Sequence, residues 1–257
     1  MMSQAPSRVK QGAAQYVYGV VPARIAVPAR RGVGKKPLHT LADEDIAAIV
    51  SEAPAGGEMR AGREELKAHA AVLESALKKG PVLPMRFGMV IANAESVRDE
   101  LLRRYHDDLA RQLEELEGKA ELRLRAMYEE GTLMAEVVQA RPDIGNRSEV
   151  LRDRPPDASY YERIELGQLV AEAIDRIRAQ DTVAIMDVLE PLAVASDLGS
   201  PDHEHLALQA SFLVDGEQIA AFDEAVDDLG RKNAGRLRFK YTGPLPPYSF
   251  VDLPTAE

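Results

Sequence analysis

The sequence contains no cysteine and no tryptophan, and aromatic residues make up only 5% of its 257 residues. The absence of cysteine excludes a disulfide framework, a thiolate metal site and a cysteine nucleophile. Hydrophobic residues nevertheless make up 45% of the chain, which is enough to bury a core. Aliphatic side chains must supply most of that core.

Long apolar segments are also missing. No run of the sequence approaches the ~18 apolar residues that a membrane-spanning helix needs. The first residues, "MMSQAPSRVKQGAAQ", are polar and lack the apolar region of a secretory signal peptide. Together with the absence of cysteine, this leads us to expect a cytoplasmic protein without a membrane partner.

Each of two stretches lacks charge of one sign. Residues 181–230 hold twelve Asp or Glu and no Lys or Arg, whereas residues 1–42 hold seven Lys or Arg and no acid. The net charge of the whole chain is −10. A surface of this sign repels nucleic-acid backbones, so we expect no nucleic-acid partner. The basic N-terminal stretch is either a solvated flexible arm and loop or a small docking patch for an anion.

The common nucleotide-binding motifs are absent. "RRGVGKKP" (30–37) resembles a phosphate-binding loop, but that loop requires glycine where Ala29 stands and Ser or Thr where Lys36 stands. Neither the dinucleotide fingerprint G-x-G-x-x-G nor the nucleophile elbow G-x-S-x-G occurs. We therefore expect no cofactor.

"DHEH" (202–205) is the cluster that most resembles a metal site. On a strand, His203 and His205 would point to the same face and could share a metal. No third ligand can be identified, so we expect no bound metal. An enzyme of unknown type that uses this cluster, or a pair of carboxylates, remains an alternative. His39, His69 and His106 are scattered, and we expect His69 and His106, on predicted helices, to be solvated or capping residues.

Hydrophobic periodicity predicts mixed helices and strands. In the first half, strands are predicted at 15–21 and at 81–93, the latter an edge strand or a bulged strand because of Pro84. Helices are predicted at 62–79 and 94–117. The helix at 62–79 would bury the stripe Leu66, Ala70, Leu73 and Leu77. Segment 46–51, "IAAIVS", fits either a strand or a short helix.

The second half alternates in the same way. Strands are predicted at 120–130, 203–215 and 235–241. Helices are predicted at 131–140 and 148–152 on either side of a "RPDIGN" turn, from Ser159 onward, from Asp181 to near Pro191, and after Gly216. Long helices covering small antiparallel sheets indicate an α+β fold. We expect a disordered arm at 1–13, domains at 14–118 and 119–242, and a tail at 243–257 packed on the body.

Two short elements then give a resemblance to a known family. "LPMRFG" (83–88) and "GPLPPYSF" (243–250) occur in an order and context that resemble the gas vesicle protein F/L family, from about residue 14 to the end. Four residues match that family's LP-x-RFG element, namely Pro84, Arg86, Phe87 and Gly88. Five match its C-terminal GP-x-PPYSF element, namely Pro244, Pro247, Tyr248, Ser249 and Phe250.

The resemblance implies an accessory or minor structural protein of gas vesicle assembly, without catalysis, located in the cytoplasm and on the gas vesicle. The implied partners are the hydrophobic gas vesicle shell protein (GvpA) and other accessory proteins. The implied fold has two α+β domains, the first of them ferredoxin-like. A nucleic-acid-binding module that uses the ferredoxin-like sheet is an alternative. It would use the basic face formed by Arg236, Arg238 and Lys240, with Arg123 and Arg125 beside it.

The LP-x-RFG element also suggests roles for two residues. Arg86 is expected to pair with a carboxylate or with backbone carbonyls, or else to contact the partner. Gly88 is expected at a bulge or at a position of close backbone approach.

Overall fold

The computed structural model describes residues 12–53, 62–155, 157–201, 203 and 205–252. The arm predicted at 1–13 lies outside these residues except for Gly12 and Ala13. The described residues form two compact units, which divide after Glu121 and again after Gly243. Unit 1 holds the residues before the first division and those from Pro244 onward, and unit 2 holds Leu122–Gly243. The predicted domain limits at 118 and 242 lie close to these divisions. The assignment of two domains with these limits stays a prediction.

The sheet of unit 1 is built around a fully buried first strand. Its strands are β1 (Gln15–Pro22), β2 (Leu38–Asp43), β3 (Ile46–Glu52), β4 (Leu83–Pro84) and β5 (Val90–Ile91). Their order is β2–β3–β1–β4, and β5 also pairs with β1. Neighbouring strands are antiparallel. Every residue of β1 is buried, and the ambiguous "IAAIVS" segment belongs to β3.

Helices complete unit 1. They are α1 (Arg63–Leu77), α2 (Ala94–Ser96), a π-helical stretch (Val97–Arg103) and α3 (His106–Glu115). The Asn93 side chain caps α2 by accepting hydrogen bonds from the N–H groups of Glu95 and Ser96. The single helix predicted at 94–117 is therefore interrupted by π-helical turns.

The ferredoxin-like assignment of unit 1 stays a prediction. A ferredoxin-like chain places a helix between its first two strands. Residues 23–37, which join β1 to β2, contain only the short 3₁₀ turn Val33–Lys35 in the structure. The broader prediction of an α+β protein is confirmed by the two helix-covered sheets.

Unit 2 contains the second sheet. Its elements are β6 (Lys119–Tyr128), which begins at the end of unit 1, α4 (Thr132–Ala140), α5 (Pro142–Arg152), α6 (Tyr160–Leu189), β7 (Ala195–Gly199), β8 (Leu206–Asp215), α7 (Ile219–Lys232) and β9 (Leu237–Leu245). The strand order is β7–β8–β6–β9. The predicted alternation of β6 is confirmed, because Leu122, Leu124, Ala126 and Tyr128 are all buried.

Two predictions for the helices of unit 2 are wrong. Helix α6 runs without a break through Asp181, which does not start a new helix. The "RPDIGN" segment is not a turn, because Pro142 occupies the first turn of α5, where a missing N–H costs nothing. Ser159 precedes α6, but its side chain makes no capping hydrogen bond.

The core of unit 2 lies between the sheet and helices α6 and α7. Ile185 and Leu189 of α6 and Phe222 of α7 pack there against Leu208 and Phe212 of β8. Among the described residues, no helix is both long and apolar enough to cross a lipid bilayer.

Candidate functional site

The LP-x-RFG element forms a surface turn between two very short strands. We call residues 86–89 the RFG turn. On its N-terminal side, the Met85 N–H donates to the Tyr18 carbonyl over 2.8 Å, and on its C-terminal side the Val17 N–H donates to the Met89 carbonyl over 2.9 Å. The sequence predicted a single strand here. The structure has two strands that flank a turn, and both pair with β1.

Gly88 gives the turn its shape. Its φ is +92°, a value that side chains with a Cβ rarely adopt. A Cβ built on Gly88 would meet no atom within 4 Å. The requirement for glycine therefore comes from the backbone conformation and not from a steric contact.

A buried histidine lies under the turn. His69 of α1 is 3% exposed, and its Nε2 lies 3.1 Å from the Met85 carbonyl. Because a carbonyl only accepts, Nε2 carries the proton and Nδ1 accepts from the Tyr16 hydroxyl, 2.8 Å away. The Tyr16 oxygen in turn accepts from the Gly88 N–H over 3.2 Å. Each donor in this series of hydrogen bonds has an acceptor, and the series connects α1 and β1 to the RFG turn.

Aromatic rings lie around this histidine, and we call Tyr16, Tyr18, His69 and Phe87 the aromatic cluster. The Phe87 ring centre is 5.7 Å from that of His69 and 6.1 Å from that of Tyr16. Tyr18 stacks on His69 at 5.5 Å. Phe87 and Tyr248 both pack against the same buried core of unit 1. The structure thus brings the LP-x-RFG and GP-x-PPYSF elements to one place.

Burial keeps the cluster uncharged at neutral pH. Burial lowers the pKa of His69 to about 4, and the Met85 carbonyl opposes this only in part. Burial also raises the pKa of Tyr16 and of Tyr18 above the ordinary value for tyrosine. With His69 neutral and both tyrosines protonated, the hydrogen bonds keep one arrangement. The cluster therefore acts as a fixed support for the RFG turn.

Arg86 lies on the outside of this support. Its side chain is exposed, and it makes no hydrogen bond or ion pair with another residue that the structure describes. The pairing expected from the sequence is therefore absent within the described part of the chain. Val90, which follows in β5, is 44% exposed. The turn and the strand after it thus expose a cation and an apolar side chain.

The C-terminal element is held within unit 1 by buried polar groups. The Ser249 N–H donates to Glu121 Oε2 over 2.8 Å, and the Ser249 hydroxyl lies 3.1 Å from Oε1. Glu121 is 0% exposed. The Gln112 amide exchanges two hydrogen bonds with the backbone of Asp252, at 2.8 and 3.0 Å. In the same element Pro247 is buried, Phe250 is half-buried and Pro244 is exposed.

The basic face considered for nucleic acid is only partly available. Arg236 forms two hydrogen bonds to Glu136, at 2.6 and 2.8 Å, and two to Asp181, both at 2.8 Å. The Tyr128 hydroxyl also donates to Asp181 over 2.7 Å. The Arg236 guanidinium is thus occupied by hydrogen bonds within the protein and is not available to contact a phosphate. Arg238 and Lys240 remain exposed, whereas Arg123 and Arg125 have other interactions.

The predicted histidine pair is not the grouping that most resembles a metal site. His203 and His205 are both exposed, and Asp202 and Glu204 lie outside the described residues. Within the described ranges, potential ligand atoms converge instead at Glu44, Asp45 and His106, all within 4.8 Å of one another. Hydrogen bonds to Asp107 and Asp45 raise the pKa of His106. Exposed acidic groups of this kind are common without a metal.

Sequence reasoning missed the residues that support the RFG turn. His69 was expected to be solvated or capping, but it belongs to the buried stripe of α1 with Val72, Leu73 and Ala76. The predicted stripe began instead at Leu66, which is largely exposed. A usable signal was the spacing of Tyr16 and Tyr18, because residues two apart on a strand share a face. Nothing in the sequence pairs these tyrosines with His69.

The fold and the site together define an α+β protein of two helix-covered sheets, with its recognisable sequence elements gathered around one surface turn. The family model described as "Gas vesicle synthesis protein GvpL/GvpF" matches residues 14–252. The chain belongs to this family, and its members take part in gas vesicle formation.

The relatives and solved structures to which the chain is similar are also gas vesicle proteins F and L. The chain is 34% identical over 244 residues to gas vesicle protein F of Streptomyces sp. (strain CB03234), covering 92% of this chain and 99% of that protein. It is 30% identical over 260 residues to gas vesicle protein L of the same organism, covering 93% of each. The crystal structure of GvpF from Anabaena sp. PCC7120 matches with a TM-score of 0.83 at 25% identity, over 95% of this chain and 100% of that one.

Proposed function

We propose that this protein is a non-enzymatic accessory factor of gas vesicle assembly that binds the hydrophobic shell protein and helps its incorporation into the vesicle wall. A protein wall around a gas must present apolar surface, so its free subunits are prone to aggregate. A partner that covers such a subunit before assembly prevents this. The protein would act in the cytoplasm and at the growing vesicle, together with other accessory proteins.

The observation that supports this proposal most is the exposed Arg86, which pairs with none of the described residues, on a turn held by buried contacts. An unpaired arginine gains little for folding, whereas the turn that presents it is held by buried hydrogen bonds and aromatic packing. Fixed side chains lose less entropy on binding than mobile ones. Arginine is enriched at the centres of protein interfaces. We therefore assign the shell-protein contact to the RFG turn and Val90.

Replacing Arg86 tests this assignment. Arg86→Ala is expected to weaken binding of the shell protein by roughly tenfold or more, the loss typical of an interface hot spot, without changing the melting temperature. Arg63→Ala is the matched control, because Arg63 is also exposed in unit 1 and lies at the start of α1. Binding by both variants equal to that of the unmodified chain would remove Arg86 from the contact.

A further inference from the structure

The sheet of unit 2 ends in strands that each have one free side. Among the described strands, β7 pairs only with β8, and β9 pairs only with β6. A free edge presents backbone N–H and C=O groups that can pair with another strand. We propose that β9 of one molecule pairs with β7 of a second copy of this chain, so that the sheet continues from one molecule into the next.

The charges of the two edges select this pairing. Asp197 of β7 and Arg238 and Lys240 of β9 are exposed, and none of their side chains forms an ion pair or hydrogen bond with another described residue. Pairing two β7 edges would bring aspartates together, and pairing two β9 edges would bring bases together. Charged edge residues oppose such like-with-like pairing. Pairing β9 with β7 brings opposite charges together instead.

The same three side chains lie on one face of the sheet. Asp197 is opposite Ser211 of β8, whereas the neighbouring residues Ala210 and Phe212 point into the core. Asp197 therefore faces away from the core. Arg238 and Lys240 also face away, because they alternate along β9 with residues that contact the core, namely Leu237, Phe239 and Tyr241. In a continued sheet, Asp197 and the two bases would be cross-strand neighbours.

Strand direction and apolar contacts agree with the pairing. The strands of this sheet are antiparallel, so β7 and β9, first and fourth in the order, run in opposite directions. A second copy placed edge to edge with the same face outward would thus add another antiparallel pair. On the core-side face, Leu198 of β7 is 51% exposed. It would lie next to the half-buried Phe239 and Tyr241 of the other molecule.

Because two different edges form this contact, it does not close on itself as a two-fold dimer does. A head-to-tail interface produces rings or open chains of molecules. We therefore expect a series of oligomers that grows with protein concentration. Added salt should shorten the series, because the charged pairs are exposed to solvent.

Sedimentation velocity of the full-length protein tests the proposal at low salt over a range of concentrations. Asp197→Lys, which inactivates the β7 edge, and the double variant Arg238→Asp/Lys240→Asp, which inactivates the β9 edge, are each expected to weaken self-association by roughly tenfold or more, since each replaces an attractive cross-strand pair by a repulsive one. An equimolar mixture of the two should associate again, because the intact edges remain complementary and the two altered edges also carry opposite charges.

Asp227→Lys is the matched control, because it changes the net charge as Asp197→Lys does but lies on an exposed position of α7. It should associate as the unmodified protein does. Circular dichroism melting curves establish that all variants fold. If Asp197→Lys does not fold, Asp197→Asn replaces it as the variant of the β7 edge. A protein that stays monomeric, edge variants that associate normally, or a mixture that does not associate would each overturn the proposal.

Discussion

Gly88 determines the backbone path of the RFG turn, and this makes it a direct test at the scale of one residue. Gly88→Val should lower the free energy of unfolding by about 1–3 kcal/mol, because a β-branched residue is strained at a φ of +92°. Arg86→Ala should change it by less than about 0.5 kcal/mol, as is usual for an exposed residue without partners. Urea unfolding measures both. Equal stabilities of the two variants would show that Gly88 is not conformationally required.

His69 should give the protein a pH-dependent stability. Its pKa is lowered from 6.5 to about 4 by burial, so between these values the unfolded chain binds a proton that the folded chain does not. The stability that depends on a neutral His69 is therefore complete above pH 6.5 and falls as the pH drops towards 4. A shift of this size corresponds to about 3 kcal/mol.

Comparing variants isolates this effect from the titration of carboxylates. His69→Gln should reduce the loss of stability between pH 6.5 and 4, relative to the loss in the unmodified protein. His39→Gln, the same substitution at an exposed position, is the control. A profile unaffected by His69→Gln would mean that the folded protein accommodates the protonated imidazole.

At the scale of elements, the C-terminal segment should contribute to the stability of unit 1. Truncation after Gly243 removes the Ser249 groups that satisfy the buried Glu121, and leaving a buried carboxylate short of partners is costly. We expect a clearly lower melting temperature. If truncation after Gly243 left the melting temperature unchanged and reduced only partner binding, the segment would be a docking peptide.

The elements that could be predicted from the sequence are those with strong local patterns. The alternation of β6 and the apolar face of α7 gave the correct structures, because burial of one face decides both. Helix α6 was predicted as two helices because Asp181 is a common N-cap residue. In the structure, Asp181 binds Tyr128 and Arg236 instead. These partners lie 53 and 55 residues away along the chain, so no local sequence pattern predicts them.

The site was predictable only in its outline. The motif residues were found from the sequence, but their convergence was not, since the tertiary fold alone brings Phe87 and Tyr248 to the same buried core. The expected partner of Arg86 is absent among the described residues, because the turn directs its side chain to the surface. Strand β2, "LHTLAD", and strand β7, "ASDLG", were missed because short polar segments carry little hydrophobic periodicity.

At the scale of the whole molecule, the proposed function requires binding without an energy source. Under the proposed function, we expect release of the shell protein to follow from modest affinity and not from nucleotide hydrolysis. A micromolar complex corresponds to about −8 kcal/mol and exchanges quickly. The contact should be mainly apolar, with Arg86 setting orientation, so added salt should weaken it only mildly.

Co-expression with the gas vesicle shell protein tests the central claim most directly. The measurement is the fraction of shell protein that stays soluble and co-purifies with this chain, compared with expression of the shell protein alone. We predict a soluble complex that forms without nucleotide and is reduced by Arg86→Ala but not by Arg63→Ala. Two results together would contradict the account. The shell protein would aggregate equally with and without this chain, and cells from which the chain is deleted would still build normal vesicles.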